Sequence, residues 1–110
     1  MIILDTNVLI YAIKTKIDLT KFIDEEIAVP TSAIKELEKL SKKNADAKLA
    51  LKLAEKYRTI KVESIGDDGI IEAAVKYGGN VLTNDRILQK SLKGKNIRVT
   101  AVTKGMVRKL

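Results

Sequence analysis

Residues 1–7, MIILDTN, run four apolar side chains into a carboxylate and two small polar groups. Met1 to Leu4 is short, uninterrupted and apolar, so it reads as a strand buried on both faces. Asp5, Thr6 and Asn7 then lie where that strand would hand over to a helix, Thr6 to Lys14. An acid at a helix start can be a plain cap, so its meaning depends on whether other acids occupy equivalent positions.

The handover recurs along the chain. A short helix is expected from Leu19 to Ile23, and a second strand, Ile27 to Val29, ends at the only proline, Pro30. Thr31 or Ser32 is placed to cap the next helix, where Ile34, Leu37 and Leu40 fall at helical spacing. Ala45 to Tyr57 reads as amphipathic, with Leu49, Leu53 and Tyr57 on one face. Ile60 to Ile65 alternates as a strand does, Gly66 breaks it, and Asp67 or Asp68 opens a helix with Ile71, Ala74 and Val75 inward. That helix stops at Gly78-Gly79. Val81 to Thr83 is strand-like, Asp85 to Leu92 helical, and Ile97 to Val102 a last strand. Strand-helix alternation of this kind predicts an α/β fold with a parallel sheet and helices on both faces. Residues 1–103 form the expected domain and 104–110 a basic C-terminal tail.

Composition narrows the chemistry. The 110 residues suit a single domain. Cysteine and histidine are both absent, which removes disulfides, thiol nucleophiles, Ser-His-Asp catalysis and the usual zinc ligands. No apolar run approaches the roughly 20 residues that span a bilayer, and MIIL has no basic stretch before it. A cytoplasmic location without membrane contact is the expectation. The net charge of +7 is concentrated after Asp85, in Arg86, Lys90, Lys93, Lys95, Arg98, Lys104, Arg108 and Lys109, with no acid among them. Such a segment fits an anionic partner, of which nucleic acid is the commonest. It fits equally a solvated lysine-rich surface.

In an open parallel sheet, ligands bind beyond the carboxyl ends of the strands. Asp5, the Asp67-Asp68 pair and Asp85 all follow predicted strands, so they can face one crevice. Glu36 lies about one turn into the helix after the second strand and can point along the sheet edge. Read singly, Glu36 could pair with Lys39 at the surface, and Asp85 could be an N-cap. Read together, these carboxylates would repel one another at neutral pH unless some bound protons. A divalent cation resolves the conflict. Mg²⁺ or Mn²⁺ prefers oxygen ligands, retains waters, and can activate one of them toward a phosphodiester. Thr6, Asn7, Thr83 and Asn84 supply neutral groups to orient the acids.

Four stretches, LDTNVL (4–9), SAIKEL (32–37), DDGIIEAA (67–74) and LTNDR (82–86), resemble in order and spacing the PIN-domain nucleases. The likeness spans residues 1 to about 102. It implies a three-layer α/β/α sandwich around a five-stranded parallel sheet, and Mg²⁺- or Mn²⁺-dependent cleavage of single-stranded RNA. The family's acidic positions fall on Asp5, Glu36, Asp68 and Asp85, both as catalytic residues and as direct or water-mediated metal ligands. Asp68 is preferred for its spacing to Ile71 and Ala73-Ala74, with Asp67 as a nearby auxiliary. Arg86 and Lys90 are candidates to hold the RNA backbone.

The resemblance extends to VapC-type toxins, held inactive by an antitoxin protein, and to small archaeal PIN proteins of ribosomal RNA processing. Both settings are consistent with the chain. Homodimers are common in the family, and Tyr11, Ile13, Leu19 and Phe22 offer an apolar patch that core packing would explain equally well. Two other readings compete. One is a catalytically inactive PIN-like scaffold that binds RNA through its basic segment. The other is a phosphatase of the haloacid-dehalogenase type, suggested by LDTN, VPTS and IGDDG. That chemistry needs an acid where Asn7 stands, and it gives Glu36 and Asp85 no role.

Overall fold

The computed structural model describes residues 1–103 and 106–110. In chain order it comprises β1 (Ile2–Leu4), α1 (Thr6–Thr15), a 3-10 turn (Leu19–Lys21), β2 (Ile27–Pro30), α2 (Thr31–Leu40), α3 (Ala45–Ala54) and β3 (Arg58–Ile60). There follow α4 (Gly66–Tyr77), β4 (Asn80–Leu82), α5 (Arg86–Gly94), β5 (Val99–Thr103) and β6 (Met106–Lys109). The sheet order is β3-β2-β1-β4-β5-β6. Its first five strands are parallel, as expected, and β6 adds an antiparallel edge to β5.

Because side chains alternate across a strand, each strand feeds two cores. Ile2 and Leu4 of β1 face α1, α2 and α3, packing with Val8, Leu9, Leu37 and Ala50. Ile3, between them, faces α4 and α5, with Ile70, Ala73, Leu88 and Leu92. That is the three-layer sandwich. Among the described residues no helix is long and apolar enough to cross a membrane.

Several local expectations shift. The third strand is Arg58–Ile60 rather than 60–65, because the backbone of the later residues pairs with side chains instead of a neighbouring strand. Thr31 Oγ1 accepts from Val62 N–H at 3.0 Å and faces Val62 O at 3.2 Å. The Glu63 and Ser64 N–H groups both donate to the Glu72 carboxylate. Thr31 is thereby committed to this loop and does not cap α2, whose N-cap is Pro30. Helix α3 ends at Ala54 and packs through Ala47, Ala50 and Ala54, leaving Leu49 largely exposed. On α4 the buried face is Gly69, Ile70, Ala73 and Ala74, so Val75 points outward.

The expected tail is partly sheet: Met106–Lys109 form β6, whereas Lys104 and Gly105 lie outside the described residues. Of the apolar patch, Leu19 is buried, Tyr11 and Ile13 pack against the core, and Phe22 is exposed.

Gly69 lets α4 approach α2 closely. A Cβ there would sit 2.3 Å from Ser32 Oγ and 2.8 Å from the Ser64 carbonyl oxygen, distances no side chain tolerates.

Candidate acidic site at the carboxyl edge of the sheet

Strand β1 pairs with β2 on one side and β4 on the other, so chain order reverses at β1 and opens a crevice beyond its carboxyl end. Asp5 occupies that point. It is only 6% exposed, and although it is the N-cap residue of α1, its side chain makes no capping hydrogen bond. Its Oδ2 instead accepts from the Thr83 hydroxyl beyond β4, at 2.8 Å. The plain-cap explanation therefore fails for Asp5.

Electrostatics mark the same residue. Burial pushes the Asp5 carboxyl up from 3.8 to about 6; the Thr83 hydroxyl opposes this, Asp67 adds to it, the Thr6 backbone N–H opposes, and Glu36 adds again. Asp67 is itself raised, first by burial, then by Asp85 and by Asp68. A line of mutually felt charges thus runs Glu36, Asp5, Asp67, Asp85. Asp68 enters it through Asp67, one residue away on the exposed first turn of α4. Adjacent helical residues differ by about 100° in direction, so the two members of the pair have different surroundings.

Thr83 links two of the acids. Its hydroxyl donates to Asp5 and accepts from the Asp85 backbone N–H at 3.1 Å. Gln89 fixes it from below, donating Nε2 to the Thr83 carbonyl at 2.8 Å. Asp85 does cap α5, its Oδ1 accepting from the Ile87 and Leu88 N–H groups, which leaves Oδ2 for other work. Asn84 is used structurally: its amide pairs with both the N–H and the carbonyl of Val102, at 2.9 and 2.8 Å. Thr6 is buried and Asn7 exposed.

Two clefts adjoin the acids. One, of about 400 Å³, is lined by Asn84, Arg86, Gln89 and Arg108 with residues of β5, and reaches the acids through the neighbours of Asp85; Lys90 is exposed farther along α5. The other, of about 390 Å³, lies between α2 and the start of α4 and includes Glu36. Sequence reasoning missed Gln89 and Arg108. Gln89 stands one turn after Asp85, a spacing that could have singled it out, whereas Arg108 fell in the presumed tail.

Among the described residues the two ion pairs join the Met1 amino group to Glu25 and Arg58 to Glu26, so none of the crevice acids has a cationic partner. No three of the described acids stand close enough to form a direct cage. The donors are all oxygen, and Asp5 keeps Oδ1 outside its bond to Thr83. Such a set fits a hard cation of the Mg²⁺ class, held through one or two carboxylates and its own waters.

A family model for the PIN-like domain matches residues 2–104. The chain is similar to a ribonuclease named VapC9 from Archaeoglobus fulgidus, 39% identical over 106 residues that cover 88% of this chain and 78% of the relative. It also resembles in fold a domain of a functionally unknown protein from Methanocaldococcus jannaschii. There the TM-score is 0.73 at 18% identity, over 93% of this chain and 90% of the other. The chain belongs to the PIN-like domain family.

Proposed function

We propose, from that membership, that the chain is a divalent-metal-dependent endoribonuclease that hydrolyses phosphodiester bonds of single-stranded RNA. The observation that carries the reading is Asp5: a buried carboxylate pushed up to about 6 by burial and by other acids, with no ion-pair partner among the described residues. Leaving a charge in that state costs stability, and a site that bears such a cost is a candidate for chemistry.

Asp5 would hold Mg²⁺ or Mn²⁺ together with Asp67, the member of the pair whose charge Asp5 feels directly, in place of the Asp68 expected from the sequence; Asp68, Glu36 and Asp85 would complete the acidic pocket through waters. When bound, the cation acidifies a water for attack on phosphorus and offsets charge on the phosphate. The remaining work falls to the chain. Thr83 holds the Asp5 carboxylate through Oδ2, and Oδ1 is the oxygen that would meet the cation. Gln89 holds the Thr83 backbone against α5, and Asn84 ties the Asp85 turn to β5. Arg86, Lys90 and Arg108 offer positive charge to the RNA backbone on the β5 side.

Similarity to VapC9 supports a toxin whose antitoxin covers the acidic crevice, and this is the biological role we assign. The direct test is cleavage of defined single-stranded and structured RNAs with Mg²⁺, with Mn²⁺ and with chelator. Cutting that requires the metal and is lost in Asp5→Asn supports the reading. Tight RNA binding by wild type without cutting under any divalent metal would favour the inactive scaffold.

A further inference from the structure

The cleft between α2 and α4 lies beside Glu36 on the side of the crevice away from Arg86 and Arg108. Its lining is Ser32, Lys35, Glu36, Lys39, Ile65 and Gly66. Lys35 and Lys39 stand four residues apart on α2, hence on one face of the helix. Neither enters an ion pair, with Glu36 or with any other described acid.

Two further features bear on what this cleft can take. Helix α4 begins at Gly66 with no side-chain cap, so unfilled N–H groups of its first turn border the cleft, while Asp67 and Asp68 on the same turn offset its dipole and leave the attraction for an anion to the two lysines. Ile65 is 78% exposed, an apolar wall at the mouth that the protein itself does not cover.

We propose that this cleft is a nucleotide subsite flanking the site of cleavage. Lys35 and Lys39 hold adjacent backbone phosphates of single-stranded RNA, one each, and the nucleoside between them lies on Ile65 and the lysine methylenes. The assignment rests on RNA being the substrate. It places positive charge on both sides of the acids, so that the strand crosses the crevice between two basic holds and repulsion from the carboxylates is offset at either end.

The test is the salt dependence of binding of a fluorescein-labelled, unstructured oligoribonucleotide, measured in chelator so that nothing is cut. Removing one lysine that neutralises a phosphate should lower the slope of log K against log salt by about 0.7. Lys35→Ala/Lys39→Ala should therefore weaken binding roughly tenfold near 0.1 M salt and reduce the slope by about 1.4. Lys48→Ala/Lys52→Ala, the same spacing on exposed positions of α3, should change both much less. Equal behaviour of the two double variants overturns the subsite. Metal-dependent cleavage by wild type is scored separately. Cleavage with an unaltered slope removes the subsite and keeps the nuclease; a lowered slope without cleavage keeps the subsite and removes the nuclease.

Discussion

The two ends of the sheet treat their acids in opposite ways. At the amino end, Glu25 meets the Met1 ammonium at 3.0 Å and Glu26 meets Arg58 at 3.1 Å. At the carboxyl end, Asp5 is buried, Asp67 and Glu36 raise its pKa, and the nearest help is a neutral hydroxyl. Two acids at one end are neutralised by the chain, and the acids at the other have no cationic partner among the described residues. The contrast marks the carboxyl end as the candidate site without reference to any relative, because a fold under pressure for stability alone would treat both ends alike.

Breaking the contrast at its centre should have the largest effect. Asp5→Asn keeps the shape and can still accept from Thr83, but it removes the buried charge. Cleavage should fall at least about a hundredfold, as measured by initial rates on single-stranded RNA, whereas RNA binding in chelator should hold or tighten.

A pH experiment comes next in size. The folded chain holds the Asp5 proton up to about pH 6, against 3.8 for the ordinary carboxyl. The folded state therefore binds more protons than the unfolded one between those values, and stability falls as pH rises through them. This group's contribution is complete below about pH 4 and lost above about 6, a difference on the order of 3 kcal/mol. Denaturant midpoints across that window, in chelator, should show the loss in wild type and a flatter profile in Asp5→Asn. Added Mn²⁺ should restore part of it at pH 7 in wild type only.

Thr83→Val sharpens the same end. It strips the donor from Asp5 and leaves the Asp85 N–H without its acceptor, costing about 2 kcal/mol at neutral pH by chemical denaturation. The metal concentration for half-maximal cleavage should rise about tenfold. At the amino end, Arg58→Ala should cost under about 0.5 kcal/mol, since both partners of that pair are more than half exposed. A large loss there would erase the distinction between the two ends.

Much of this was legible in the sequence. Short apolar runs ending in Asp5 and in TNDR made β1 and β4 readable as buried strands, whereas the order in which the strands pair, and hence the reversal at β1, depends on contacts distant in sequence. Side-chain commitments were harder to see. Thr31 looked like a cap but satisfies the Val62 backbone, and Asn84 looked like a companion to the acids but pairs with β5. Which of Asp67 and Asp68 faces Asp5 depends on a rotation of one residue about a helix axis, and that rotation is set by where Gly69 lets α4 meet α2. Strand β6 was missed because MVRK is short, half charged and without apolar alternation.

That last strand bears on how copies of the chain meet in solution. The sheet ends on one side in β3, three residues long with Arg58 and Thr59 exposed, and on the other in β6, which carries Arg108 and Lys109. Short, cationic margins resist end-to-end stacking of sheets from separate molecules. Self-association that leaves these margins free must use helical faces, and the protein is thereby shielded from the ordinary route into fibrils.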